Sequence, residues 1–190
     1  MKPTKKRIVT VSGGNGSAIT LRALAPYAGE ALTLDALIPT SDSGGSSGRL
    51  RQEFGVIPPG DILRAVLALS KYDFETLREI FYKTRFENLG SLNDHNLGNL
   101  FLAFAREYAG DFMVAVRALE QAVGAVGHVY PITDMPTELC VRLRSGKVIK
   151  GEAEIDRPDY DRTDTIVDAW LEPVVEASAN ALALLKAADA

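Results

Sequence analysis

Thr40-Ser41-Asp42-Ser43-Gly44-Gly45-Ser46-Ser47-Gly48-Arg49-Leu50-Arg51 is the stretch on which the reading of this chain turns. Residues 43–48 are three serines and three glycines, which cannot pack a core. They free the backbone to turn sharply and to aim N–H groups at one point, a concavity that binds anions. Arg49 and Arg51 beside it can each make a forked contact to phosphate or carboxylate. Asp42 breaks the positive pattern and predicts a separate role, which is to hold a metal ion, contact a ribose or base donor, or transfer a proton. A flexible serine-glycine linker is the plain alternative. Linkers rarely follow an apolar strand or end in Arg-Leu-Arg.

A second glycine cluster lies upstream. Ile8-Val9-Thr10-Val11 is rich in β-branched residues, and Ser12-Gly13-Gly14-Asn15-Gly16-Ser17 follows at once. Residues 18–24 then read as a helix with Ile19, Leu21 and Leu24 available for burial. Strand, glycine turn and helix open a nucleotide-binding α/β domain, where the backbone approaches a ligand and the helix N-terminus favours negative charge. The spacing is not G-x-G-x-x-G, and it lacks the Gly-Lys-Ser/Thr ending of a P-loop. Residues 31–38 form the next apolar strand and lead into the Asp42 loop. Two successive strands ending in glycine loops predict one crevice at the carboxyl edge of a parallel sheet.

Composition narrows the function classes. With 190 residues, 46% of them hydrophobic, and a net charge of −4, the chain suits one soluble domain. No stretch approaches the ~20 apolar residues of a membrane span. The basic start, residues 1–7, meets only a short apolar run and is not a secretion signal. The lone Cys140 excludes an internal disulfide and fits a reducing cytoplasm. A mildly acidic total argues against nucleic acid as partner.

Residues 52–59 read as a loop closed by Pro58-Pro59-Gly60, and Asp61 stands where a helix cap belongs. Asp73 and Asp111 read as caps of further helices, and residues 96–108 keep helical spacing, so the middle of the chain is helical. Residues 127–132 read as a strand, and residues 139–144 and 147–150 as a hairpin about Ser145-Gly146. Residues 156–162 form a charged, solvated loop without calcium-loop spacing. A strand over 165–171 and a helix over 179–188 end the chain. An alternating pattern predicts a further strand after that helix, so the chain reads as truncated.

These motifs, in this order, resemble the 2-phospho-L-lactate transferase-like family, and within it the gluconeogenesis-factor (morphogenesis-factor) branch. The bearing residues are Ser12-Gly13-Gly14-Asn15-Gly16, residues 41–51, Pro58-Pro59-Gly60-Asp61-Ile62 and His95-Asn96-Leu97-Gly98-Asn99-Leu100, with weaker echoes at residues 83–86, 151–152 and 187–189. Several positions depart from the family pattern. Ser12 and Asn15 replace a glycine and a threonine, Ser43 replaces a second aspartate, and Asp94 replaces a glycine. Leu63-Arg64 stands where an arginine-asparagine pair is common. The resemblance implies an α/β, Rossmann-like three-layer sandwich with a mainly parallel sheet, of which this chain holds the N-terminal part.

The ligand-binding set expected on these grounds is Gly13, Gly14, Asn15, Gly16, Asp42, Ser43, Gly44, Gly45, Ser46, Ser47, Gly48, Arg49, Arg51, Asp61, His95 and Asn99. Asp42 otherwise reads as a turn aspartate, Asp61 as a helix cap, and His95 as a packed histidine bonded to Asp94. Arg85 is either a phosphate contact or a surface residue; His128 reads as structural, and Cys140 is not a nucleophile. The resemblance implies a cytoplasmic regulator of carbon metabolism and cell-wall morphogenesis that binds a phosphorylated nucleotide, a uridine-diphosphate sugar. One alternative is phospholactyl transfer from a guanosine-diphosphate donor to a deazaflavin, with Mg²⁺ at Asp42 and with Asp42 and His95 as catalytic groups. The other is a degenerate, non-binding scaffold. Loss of a carboxylate at Ser43 leans towards binding. A homo-oligomer is expected if an apolar sheet edge stays open.

Overall fold

The structure, a computed structural model, describes residues 5–156, 159–161 and 163–190. The chain opens with β1 (Lys6–Val11), α1 (Gly14–Leu24), β2 (Leu32–Ile38) and α2 (Gly45–Phe54). Four helical segments follow: α3 (Gly60–Ala68), α4 (Phe74–Arg78) running into a π-turn (Glu79–Lys83), α5 (Leu97–Ala109) and α6 (Phe112–Ala122). The last part holds β3 (His128–Pro131), β4 (Glu138–Leu143), β5 (Val148–Lys150), α7 (Glu152–Asp156), β6 (Ile166–Glu172) and α8 (Ala179–Ala187).

The strands divide between two sheets. β1, β2 and β3 form a parallel sheet in that order, with Ile8 opposite Leu34 and Ala36 opposite Val129. β5, β4 and β6 form a separate antiparallel sheet. This corrects the expectation of one mainly parallel sheet: the 139–150 hairpin is present but pairs with β6 rather than extending the first sheet. At the free edge of β1, Ala190 N–H donates to Arg7 O at 3.3 Å and Val9 N–H donates to Ala190 O at 2.9 Å, the bonding pattern of a parallel neighbour.

Helix α3 explains why the core forms where it does. Its sequence GDILRAVLA is apolar almost all round, and Ile62, Leu63, Ala65, Val66 and Leu67 are fully buried. Such a helix is stable only when surrounded. It packs on β2 and β3 with α1, α4, α5 and α6 about it. Asp61 and Arg64 are its only polar residues. Three positions apart, they share one face.

The expected caps Asp73 and Asp111 accept N–H bonds from Thr76 and Met113. Two local readings need correction. Residues 45–54 are helical, not loop, because the glycine-serine run is the first turn of α2. Asp61 does not cap α3; Pro59 occupies that position and the aspartate lies inside the first turn. The charged 156–162 segment lies partly outside the described residues.

Candidate functional site

The two glycine loops meet at the N-terminus of α3. Gly13 caps α1 with no side-chain bond of its own, and Gly14 takes a positive φ of 59°, a conformation that glycine adopts without strain. The Gly14 N–H donates to Asp61 Oδ2 at 2.9 Å. A Cβ on Gly13 would stand 3.1 Å from the same oxygen. The anion-binding end of α1 thus already faces a carboxylate of the protein.

The second loop repeats the arrangement. Gly44 caps α2, and its N–H donates to Asp42 Oδ1 at 2.8 Å. The other Asp42 oxygen lies beside Gly60, where a Cβ would come within 3.4 Å of it. Ser47 Oγ accepts from Gly60 N–H at 3.1 Å, tying the first turn of α2 to the start of α3. Asp42, from the second loop, and Asp61, from the first turn of α3, therefore flank one point. Burial pushes the Asp42 carboxyl up from its ordinary value; the Gly44 N–H opposes this, and the Asp61 charge raises it further. Glu152, at the start of α7, is also pushed up by burial and then by Asp42 and Asp61.

Arg64 is the cation of this cluster. Its guanidinium lies 3.6 Å from Asp61, donates to Asn15 Oδ1 at 3.3 Å and to the Tyr82 hydroxyl, and lies over the Tyr82 ring. The arginines singled out in the sequence stand elsewhere. Arg49 donates to Asn93 O at 3.1 Å, Arg51 donates to Thr137 O at 3.1 Å, and Arg85 donates to Asp94 O at 3.0 Å. Arg51 also faces Glu138 at 3.9 Å, so it links α2 to the antiparallel sheet.

Behind α2 lies a buried polar network. Ser46 Oγ is 2.8 Å from His95 Nδ1 and accepts from Asn99 Nδ2 at 3.1 Å. His95 is 1% exposed. It and Asn99 support the loop from within and do not line its open side. Ser43 turns towards α7, accepting from Ala153 N–H at 3.3 Å. Gly16 is open, and Gly45 has a φ of 49° at the start of α2. Gly48 packs against the Ser43 backbone.

Arg64 and Glu152 were not among the candidates drawn from the sequence. The signal for Arg64 was present: a lone charge three residues after Asp61 in an apolar helix. Glu152 had none beyond a local echo. Cys140 is buried, its thiol raised first by burial, and His128 pairs with Glu120 at 3.0 Å away from the cleft.

A parallel sheet whose two glycine loops meet two carboxylates and an arginine at one helix start places the protein in the α/β class. The family 2-phospho-L-lactate transferase CofD matches residues 8–190, and the chain belongs to that family. The chain is similar to the gluconeogenesis factor of Bacillus subtilis, with 36% identity over 82% of this chain and 47% of that protein. It is 35% identical to the gluconeogenesis factor of Halalkalibacterium halodurans over 80% of this chain and 46% of that protein. A crystal structure of a Bacillus halodurans protein of the UPF0052 family superposes with a TM-score of 0.85 at 32% identity, covering 98% of this chain and 57% of that one. The chain thus spans about half the length of the curated relatives it matches, 46% and 47% of these two.

Proposed function

We propose that the cleft binds a phosphorylated nucleotide together with a divalent cation, and that its chemistry is transfer of a phosphorus-containing group of the phospholactyl type. The observation that carries this reading is the convergence of Asp42 and Asp61, each on a glycine-loop amide, at the start of α3. Both amides hold a carboxylate, so a bare phosphate would meet two negative charges. A cation between them removes that conflict. Mg²⁺ keeps several waters and takes one or two carboxylates plus phosphate oxygens. Asp42 and Asp61 supply that number, and among the described residues no group of three or more His, Cys, Asp or Glu is placed to hold a metal ion. When bound, Mg²⁺ would neutralise the phosphate charge that develops during transfer.

The chain's own groups do the rest. Arg64 exchanges Asn15 for a phosphate oxygen, a forked contact that an arginine makes well. Glu152, beside the two carboxylates and with its affinity for protons raised by burial, takes the proton from the acceptor hydroxyl. The acceptor oxygen forms a new P–O bond to the phospholactyl phosphorus. The P–O bond to the nucleotide breaks, and the nucleoside monophosphate leaves.

A second reading is binding of a uridine-diphosphate sugar by a cytoplasmic regulator, without transfer. It is favoured by Ser43, which bonds α7 rather than adding a carboxylate. For the fold, the strand order β3-β2-β1 supports a Rossmann-like arrangement. Phosphorus NMR of a guanosine-diphosphate donor with a deazaflavin acceptor tests the function. Release of nucleoside monophosphate that is lost in Arg64→Ala supports transfer. An intact donor with saturable, Mg²⁺-dependent binding supports the regulator.

A further inference from the structure

The second face of the parallel sheet, turned away from α3, carries a cavity of about 390 Å³ at the amino ends of β2 and β3. Side chains alternate across a strand, so where Ile8, Leu34 and Val129 enter the core, Arg7, Asp35 and His128 face the other way. Leu184 of α8 closes the cavity, and Leu32 and Val126 add apolar wall. Asp35 is 6% exposed, yet its carboxylate accepts no hydrogen bond among the described residues. Its ion-pair partner, Arg7 Nε, stands 4.0 Å from Oδ2, beyond hydrogen-bond reach. The Arg7 guanidinium likewise donates no hydrogen bond among the described residues. Burial raises the Asp35 carboxyl above its ordinary value, although His128, Arg7 and Arg117 oppose the rise. A carboxylate taken out of water without a donor is unfavourable until a further group completes it. Glu120 beside it is already satisfied, accepting from Val129 N–H at 2.8 Å and pairing with Arg117 and His128.

We propose that this cavity binds a free α-amino acid with an apolar side chain, at a site separate from the phosphate cleft and independent of how that cleft is used. Three features select this chemical class. The fixed charges balance, Asp35 and Glu120 against Arg7 and Arg117, so a ligand of net charge would leave one sign in excess. The two groups left to complete, Asp35 and Arg7, are adjacent and of opposite sign. They match an ammonium and a carboxylate carried on one carbon: the ammonium donates to Asp35, and the carboxylate accepts from the Arg7 fork. Leu32, Val126 and Leu184 then receive the side chain. At about 390 Å³ the cavity lies within the ~300–1,000 Å³ of small-molecule sites.

The test uses three probes on the 190-residue chain. Free leucine carries both charges, leucinamide carries the ammonium alone, and 4-methylpentanoate carries the carboxylate alone. Binding is read by calorimetry and NMR shifts, and folding of each variant by thermal melts. Leucine should bind saturably, and each single-charge analogue about tenfold or more weakly than leucine. Asp35→Asn keeps the shape of the side chain and Arg7→Met keeps its apolar stem; each should weaken leucine by about ten- to hundredfold. Leu184→Trp fills the cavity without touching either charge and should weaken leucine by at least about tenfold, which decides the matter if a charge variant fails to fold. Leucine that does not bind the parent chain would overturn the proposal. So would equal affinity for all three probes, or a leucine affinity that Leu184→Trp leaves unmoved.

Discussion

Gly16 and Gly48 sit in the first turns of α1 and α2 and look equivalent in sequence, yet replacing them with alanine should change stability in opposite directions. Helix propensity alone favours alanine over glycine by about 1 kcal/mol at either position. At Gly16 nothing lies within 4 Å of an added Cβ. Gly16→Ala should therefore stabilise by about 0.4–1 kcal/mol, chiefly by restricting the unfolded chain. At Gly48 the Cβ would meet the Ser43 carbonyl, with its carbon at 2.7 Å. The obstacle is backbone, not the end of a flexible side chain, so the overpacking cost falls near the top of the usual range, about 3 kcal/mol. Subtracting the propensity gain leaves a loss of about 2 kcal/mol. For a chain of this size that lowers Tm by about 4–8 °C, against a rise of about 1–4 °C for Gly16→Ala. The same clash displaces Ser43 and Gly44, and so the Asp42 carboxylate, so Gly48→Ala should also weaken Mg²⁺-nucleotide binding. Thermal unfolding by circular dichroism with parallel calorimetry reads both. A Gly48→Ala protein as stable as Gly16→Ala would refute the close packing of α2 on the loop.

Asp42→Asn should raise stability without ligand, because the Asn oxygen still accepts from Gly44 N–H while the buried charge is gone. Asp42 is raised above its ordinary 3.8, so its favourable contribution is complete below that value and is lost as pH rises through the raised value. The Tm gap between Asp42→Asn and the parent should therefore be small near pH 4 and widen towards neutrality; a gap independent of pH would contradict this. His95→Ala should cost about 2–4 kcal/mol, a Tm loss of about 4–16 °C, by emptying a buried site and leaving Ser46 without its ring partner. If His95 instead serves catalysis directly, the variant would keep its Tm and lose only turnover.

The helical middle could be read from the sequence because its signals are local. Asp73 and Asp111 bond amides two or three residues away, and the periodic Leu97, Leu100, Phe101 and Phe104 need no distant partner to be recognised. The glycine-serine run misleads for the opposite reason. Its poor helix formers become α2 only because Ser46 meets His95 and Ser47 meets Gly60 across 49 and 13 residues of sequence. Asp61 has the sequence context of a cap, but its side chain goes to Gly14, 47 positions away. Likewise, alternation shows that residues 139–150 form a hairpin, but the partner strand β6 decides that the hairpin belongs to a second sheet. Arg49 and Arg51 look like phosphate ligands from composition; the carbonyls of Asn93 and Thr137, which hold them, are fixed by tertiary structure.

Whether a cation joins the paired carboxylates to the phosphates can be decided by nucleotide calorimetry with and without Mg²⁺, on the parent chain and on the double variant Asp42→Asn with Asp61→Asn. With Mg²⁺, the double variant should bind GDP or UDP at least about tenfold more weakly than the parent. With Mg²⁺ chelated, it should bind no more weakly than the parent, since two repelling charges have been removed. Such a reversal requires a cation between the carboxylates and the phosphates. Equal affinity of the parent chain with and without Mg²⁺, or a double variant that binds as tightly as the parent when Mg²⁺ is present, would show that no cation bridges them.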